Sequence, residues 1–293
     1  MKSPSRAVWA AVVGAVATLV VAGPVWARPP VWVVRDKDSE IVLFGSIHVL
    51  PPGLDWQPPE LKSALAHADD VWFELPVDVS TETETARLAS QLGLLAPDKS
   101  LFKMMPAADA ARMMRIAQAY DLAPSLLDRL QPWLAEVALA GAAYRKAGAA
   151  TGSGVEQTLA AEAPAKAQRR AFETPAEQLQ MFSQTPIPDQ IASLSETLKE
   201  MEDKPDEFEV LVRAWNRSDI PVLEREAIDP LRKASPSLFR RMVTDRNERW
   251  IATLQERLKG HGRTVVVVGV GHLIGAQGLP ARLRALGYSV EGP

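Results

Sequence analysis

Two apolar runs near opposite ends of the chain each finish in Gly-x-x-His, and that repetition limits the fold more than any other feature. The first is Val42-Leu43-Phe44-Gly45-Ser46-Ile47-His48, and the second runs from Thr264 through four valines to Gly269-Val270-Gly271-His272. Short apolar runs rich in β-branched residues and closed by glycine read as strands. Each motif is followed by a helical segment with Ala-Leu near its end, then a short strand bearing a glutamate. These are Val71-Trp72-Phe73-Glu74-Leu75 and Tyr288-Ser289-Val290-Glu291. Both ends thus read as strand, loop, helix, strand, the pattern of a βαβ unit. Upstream of the first motif, residues 31–34 and 41–44 flank a charged turn and predict a hairpin.

From about 81 to 260 the pattern turns helical, with Ala, Leu, Met, Glu and Arg at spacings of three and four between proline breaks. Helices are expected at 109–120, 135–146, 189–202, 207–216 and 236–259, and a short strand at 171–173 before Thr174 caps the next helix. The expected class is therefore α/β (α+β): one composite mixed sheet made by both ends of the chain and covered by a large helical middle. The expected organisation is one domain over 28–293 with the helical insert at about 81–260.

Residues 1–27 read as a signal peptide. Lys2 and Arg6 precede an uncharged run over 7–22, Pro24 ends it, and Val25-Trp26-Ala27 offers a cleavage site. A periplasmic or secreted location is expected. The alternative is an uncleaved anchor, since 7–26 approaches the ~20 residues of a span, and it would be the only membrane contact. The chain has no cysteine, so disulfides and thiolate ligands are excluded and any metal must take His, Asp, Glu or water. A net charge of -3 spread over both signs leaves no basic footprint for nucleic acid.

His48 falls just past a strand's carboxyl end, where open α/β sheets bind ligands. If the crossover that follows is parallel, Glu74 sits at the end of a neighbouring strand and can face it. With His272 they form a His/His/carboxylate set of the kind that holds a divalent metal with open positions. A lone histidine at a strand end is ordinarily just a satisfied polar residue. Repetition favours function here, because two of the chain's four histidines share one motif. His67 and His261 are expected at the surface, and Glu291 in a structural role. Glu74, charged inside an apolar strand, needs either a function or a buried partner.

The segment Asp245-Arg246-Asn247-Glu248-Arg249-Trp250 is the densest charge cluster of the insert's last helix, and such runs are usually solvated faces. Alternatively, Arg246 binds a substrate carboxylate or steadies developing negative charge while Asn247 orients it. Gly152-Ser153-Gly154-Val155-Glu156 opens a helix without the Lys-Ser/Thr of a phosphate loop, so Glu156 reads most simply as an acid at the positive end of the helix dipole. Met104, Met105, Met113 and Met114 read as core or groove lining.

In order and setting these segments resemble the TraB/GumN family, which contains the Tiki metalloproteases and is related to erythromycin-esterase-like and haem-uptake ChaN-like proteins. The resemblance covers nearly the whole mature chain. Besides the two histidine motifs it rests on Val71-Trp72-Phe73-Glu74-Leu75, Gln131-Pro132-Trp133, Gly154-Val155-Glu156, the run from Phe172 to Leu179, and Arg246-Asn247-Glu248-Arg249-Trp250. It implies metal or catalytic roles for His48, His272 and Glu74, site roles for Arg246 and Asn247, and a weaker one for Glu173. One departure is that Glu156 stands where many relatives carry the shorter aspartate.

The expectation is an exported metal-dependent hydrolase acting on a peptide, or less readily a small ester. His48, Glu74 and His272 would hold Mn²⁺, Co²⁺ or Zn²⁺, the metal would activate water, and Arg246 would stabilise the oxyanion. A metal-free variant makes Glu74 the general base beside His48. The other class is a non-catalytic periplasmic protein that binds haem, a metal or another ligand through the same histidines.

Overall fold

The computed structural model describes residues 28–149 and 154–293. The expected signal segment, its cleavage after Ala27, and residues 150–153 of the glycine loop lie outside the described residues. No helix among the described residues is long and apolar enough to cross a membrane.

The hairpin forms as the residue pattern predicts. Strand β1 (Val31–Arg35) runs antiparallel to β2 (Ser39–Ser46), with Val33 opposite Val42 and Arg35 opposite Glu40. Asp36 Oδ1 ties the turn by accepting from the backbone N–H of Ser39 at 2.9 Å. Helix α1 (Pro59–Ala66) then buries Leu61, Ala64 and Leu65 and leads into β3 (Asp70–Phe73).

The two ends do build one mixed sheet, in the order β4 (Gln168–Ala171), β3, β5 (Gly262–Gly269), β2, β1 and β6 (Ser289–Glu291). Strand β5 (Gly262–Gly269) lies between β2 and β3 and is parallel to both, with Ser46 opposite Gly269. Its valines 265–268 are fully buried, as a strand covered on both faces requires. Strand β6 (Ser289–Glu291) closes the far edge, antiparallel to β1, and Glu291 there pairs with Arg35 at 2.6 Å.

The helical middle does more than cover the sheet. It supplies the other edge strand, β4 (Gln168–Ala171), parallel to β3. That strand begins three residues earlier than the 171–173 expected from sequence, because Asp70 and Val71 pair with Gln168 and Arg169. Its pairing carries on past Ala171, since the Glu173 N–H donates to the Glu74 carbonyl at 2.9 Å. Four adjacent strands, β4, β3, β5 and β2, are therefore parallel and end on the same side of the sheet.

A second apolar cluster, with Leu101, Met113, Leu127, Leu139, Leu194 and Leu198 at its centre, gives the helical middle a core of its own. Met105 and Met113 are buried in it and Met114 is exposed. The helix expected over 236–259 is interrupted. After Pro236–Phe239 comes a π-helical turn, Arg240–Thr244, and the α-helix proper is Asp245–Leu258. Such a turn shifts the phase of the residues after it and often sits at functional sites. Here it precedes Arg246 and Asn247 directly.

Candidate active site

Every residue of the candidate site lies at or just past the carboxyl end of one of the four parallel strands, or on a helix packed over those ends. Ser46 closes β2 with His48 two residues on. Glu74 follows β3, Glu173 follows β4, and Gly269 closes β5 with His272 three residues on. This is the edge at which open parallel sheets bind ligands.

The two motif glycines permit the close approach of these ends. A Cβ on Gly45 would lie 2.9–3.0 Å from atoms of Val270, so its absence lets the second motif fold over the first. A Cβ on Gly269 would lie 3.3 Å from Glu74 Oε1, 3.9 Å from His272 Cδ2 and 4.0 Å from His48 Nε2. The structure thus brings His48, Glu74 and His272 around one point. The loop after Gly45 is pinned from the helical middle: Trp215, fully buried, donates its indole N–H to the Gly45 carbonyl at 2.7 Å.

Arg246 occupies the inner part of the site and is 3 % exposed. Its Nε donates to both oxygens of Glu173 at 2.8 and 3.1 Å, and Nη2 donates to Glu74 Oε2 at 2.5 Å and Glu173 Oε2 at 2.8 Å. Nη1 donates to the Met242 carbonyl at 3.2 Å and to His272 Nε2 at 2.9 Å. These bonds use all five N–H donors of a guanidinium. The Trp250 ring lies 4.6 Å below the guanidinium and 4.5 Å from the His272 ring, closing the floor. Asn247, fully buried, gives its amide N–H groups to the carbonyls of His272 at 3.1 Å and Gln277 at 2.8 Å.

Those two acceptors fix the Asn247 amide so that its oxygen faces His272 Nδ1, 2.7 Å away. Nδ1 must therefore carry the hydrogen and Nε2 must accept from Arg246, which defines a neutral imidazole in one tautomer. Burial pushes the His272 pKa down to about 3, with Arg246 adding to the drop and Glu74 opposing it. For Glu74, burial alone would raise the pKa. Arg246, His272, His48 and the Gly269 N–H at 2.7 Å together outweigh it and hold the carboxyl well below its usual range. Gln178 also donates to Glu74, at 3.2 Å.

His48 lies in a different setting. Its side chain is 71 % exposed, its Nδ1 is 2.9 Å from Glu156 Oε1, and its Nε2 has no hydrogen-bond partner among the described residues. Glu156, held by the Ser46 hydroxyl at 2.6 Å, draws the imidazole pKa up to about 9, although water around the exposed ring screens part of the attraction. The contact needs Gly154, where a Cβ would lie 2.6 Å from the His48 carbonyl oxygen. A cleft of about 520 Å³ opens here, bounded by His48, Glu74, Glu156, Gln178 and the helix α2 (Val79–Leu92).

Several expectations change with this geometry. Arg246 and Asn247, expected to face substrate, are turned inward and saturated, so they position Glu74 and His272. The expected three-ligand metal set does not fit as arranged. Both ring nitrogens of His272 are hydrogen-bonded, Glu74 is ion-paired, and the Arg246 guanidinium stands between Glu74 Oε2 and His272 Nε2. Among the described residues no group of three His, Asp or Glu side chains is disposed to hold an ion. Glu156, read from sequence as a dipole partner, contacts His48 directly. Its signal in the sequence was the Gly154-Val155-Glu156 segment itself. Glu173 is the main partner of Arg246. His67 and His261 are exposed and remote from these contacts.

A family model described as the TraB/PrgY/gumN family matches residues 30–292, nearly the whole chain, and the protein belongs to that family. No curated protein and no solved structure matched it.

Proposed function

We propose that this member of the TraB/PrgY/gumN family is an exported hydrolase of peptide or small ester bonds that works by acid-base catalysis between His48 and Glu74. The observation that carries the reading is the convergence of His48 Nε2 and Glu74 Oε1 on the space beside Gly269, at the mouth of the cleft. Their environments drive the two groups to opposite charge states, which is how acid and base roles are divided in a site of this kind.

In this reading Glu74, kept ionised by Arg246, orients and deprotonates a water for attack on the scissile carbonyl. His48, kept protonated by Glu156, gives its Nε2 proton to the leaving group as the carbonyl bond breaks. The proton taken up by Glu74 then returns to His48, restoring both groups. Arg246, His272, Asn247 and Glu156 are positioning residues. The saturated partners of Glu74 leave Oε1 with one bond, from Gly269, and so with room for that water. No step depends on a metal, because the residues do not fit one.

The test is hydrolysis of a peptide and ester panel by the purified protein with and without excess chelator, alongside His48→Gln and Glu74→Gln. Turnover that survives chelation, is lost in both variants, and declines as pH rises toward 9 supports the proposal. Turnover abolished by chelator and restored by Mn²⁺, Co²⁺ or Zn²⁺ would overturn it in favour of the metal route. Tight stoichiometric binding of haem without turnover of any substrate would favour a binding protein.

A further inference from the structure

The charges around the cleft are one-sided. Glu74, Asp78, Glu82 and Glu156 line it, and among the described residues His48 is its only cationic group. Two of these acids have cationic partners: Glu74 pairs with Arg246 and Glu156 with His48. Beneath them Arg246 pairs with both Glu74 and Glu173, and Arg249 also reaches Glu173 at 3.5 Å, so the arginines of the floor are already paired. Asp78 caps α2, accepting from the Ser80 hydroxyl at 2.5 Å and the Thr81 N–H at 2.8 Å, which hold its carboxyl below the usual range and ionised. Glu82 is exposed and makes no ion pair among the described residues. The rest of the lining is uncharged, with Phe73, Leu75, Pro76, Val77, Ala86 and Ala89 forming an apolar wall beside Thr81, Thr85, Gln157 and Gln178. A cleft lined by one sign of charge against apolar walls concentrates ligands of the opposite sign.

We infer that this cleft selects a substrate that carries a cationic amine on an apolar stem, and that Glu82 is the residue that selects it. The stem lies along the apolar wall and the ammonium pairs with Glu82, placing the bond to be cut toward His48 and Glu74. An anionic group in the same place would meet Glu82 and Asp78 with no arginine or lysine among the described lining residues to receive it. This rests on the cleft being the substrate site of the proposed hydrolase, but it concerns binding and can be read without turnover.

The experiment measures binding of hexylamine, hexanol and hexanoate to the purified protein by ligand-observed NMR, at low and at raised salt, in the parent and in Glu82→Gln. Hexylamine is expected to bind about fivefold more tightly than hexanoate, in line with one exposed ion pair. The preference should shrink in Glu82→Gln and on adding salt. Equal or tighter binding of hexanoate, an unchanged preference in Glu82→Gln, or no binding of any of the three would overturn the inference. Hydrolysis of the p-nitrophenyl esters of 6-aminohexanoate, hexanoate and monoadipate separates the two ideas. If the amine preference in binding appears without hydrolysis of any ester, the hydrolase reading fails and the charge selection stands. Ester hydrolysis without an amine preference reverses that outcome.

Discussion

The two Gly-x-x-His segments end neighbouring parallel strands and give their histidines opposite surroundings. His48 is exposed, bound at Nδ1 by a carboxylate and driven up to about 9. His272 is buried, bound at both nitrogens by Asn247 and Arg246 and driven down to about 3. The difference comes from what packs over each strand end. A helix start bearing Glu156 meets His48, whereas the long helix bearing Arg246, Asn247 and Trp250 covers His272. A repeated motif has thus been divided into a histidine available for chemistry and one that holds the other parts in place.

The deepest break in this arrangement is Arg246→Met. It strands Glu74 and His272 and leaves Glu173 only Arg249 at 3.5 Å, so a loss of about 3–5 kcal/mol is expected in urea unfolding. A loss below about 1 kcal/mol would mean that Arg246 does not anchor the buried half. The contrast itself is sharpened by paired substitutions. His48→Gln should lower kcat/KM at least about 100-fold at neutral pH while changing stability by less than ~0.5 kcal/mol at pH 9, where the charge pairing with Glu156 is being lost. His272→Gln should instead cost about 1–3 kcal/mol, the range for leaving buried hydrogen-bonding partners unsatisfied. Equal losses of stability in the two variants would erase the distinction.

Gly154→Ala should have a smaller effect that is confined to the exposed half. The added methyl pushes against the His48 carbonyl and moves Glu156 away, so turnover should fall about tenfold to a hundredfold and the His48 pKa should drop. An unchanged His48 titration would dissociate Glu156 from that pKa. Stability also carries two opposed pH slopes. His272 titrates at 6.5 when unfolded and about 3 when folded, so acidification from 6.5 to 3 protonates the unfolded chain first and lowers stability. His48 titrates higher when folded, so its contribution is full below 6.5 and is lost as pH rises toward 9. Unfolding measured across this range should lose its alkaline slope in His48→Gln and part of its acid slope in His272→Gln.

The composite sheet was legible because repeated patterns at both ends can bury their strands only by joining. The insertion of β5 between β2 and β3 was not, since periodicity says which face a strand buries and nothing about its neighbours. His48, Glu74 and His272 were found as a set through repetition and through the cost of a charged residue in a strand. Their division of labour was hidden, because it depends on partners far along the chain. Glu156 has an ordinary explanation at a helix start, and Trp215 reads as one more core aromatic until its indole meets Gly45. Arg246 and Asn247 sit beside exposed Glu248 and Arg249, and the π-turn that sets the phase of their helix leaves no periodic signature.

The division between the two histidines is tested most directly by ¹⁵N-detected NMR titration of their imidazole nitrogens in the folded protein, with His67 and His261 as surface references. His48 should be an imidazolium at neutral pH and lose its proton on the alkaline side. His272 should remain neutral, with its hydrogen on Nδ1, down to the acid limit of folding. Titration of both near 6.5, or a proton on Nε2 of His272, would contradict the account.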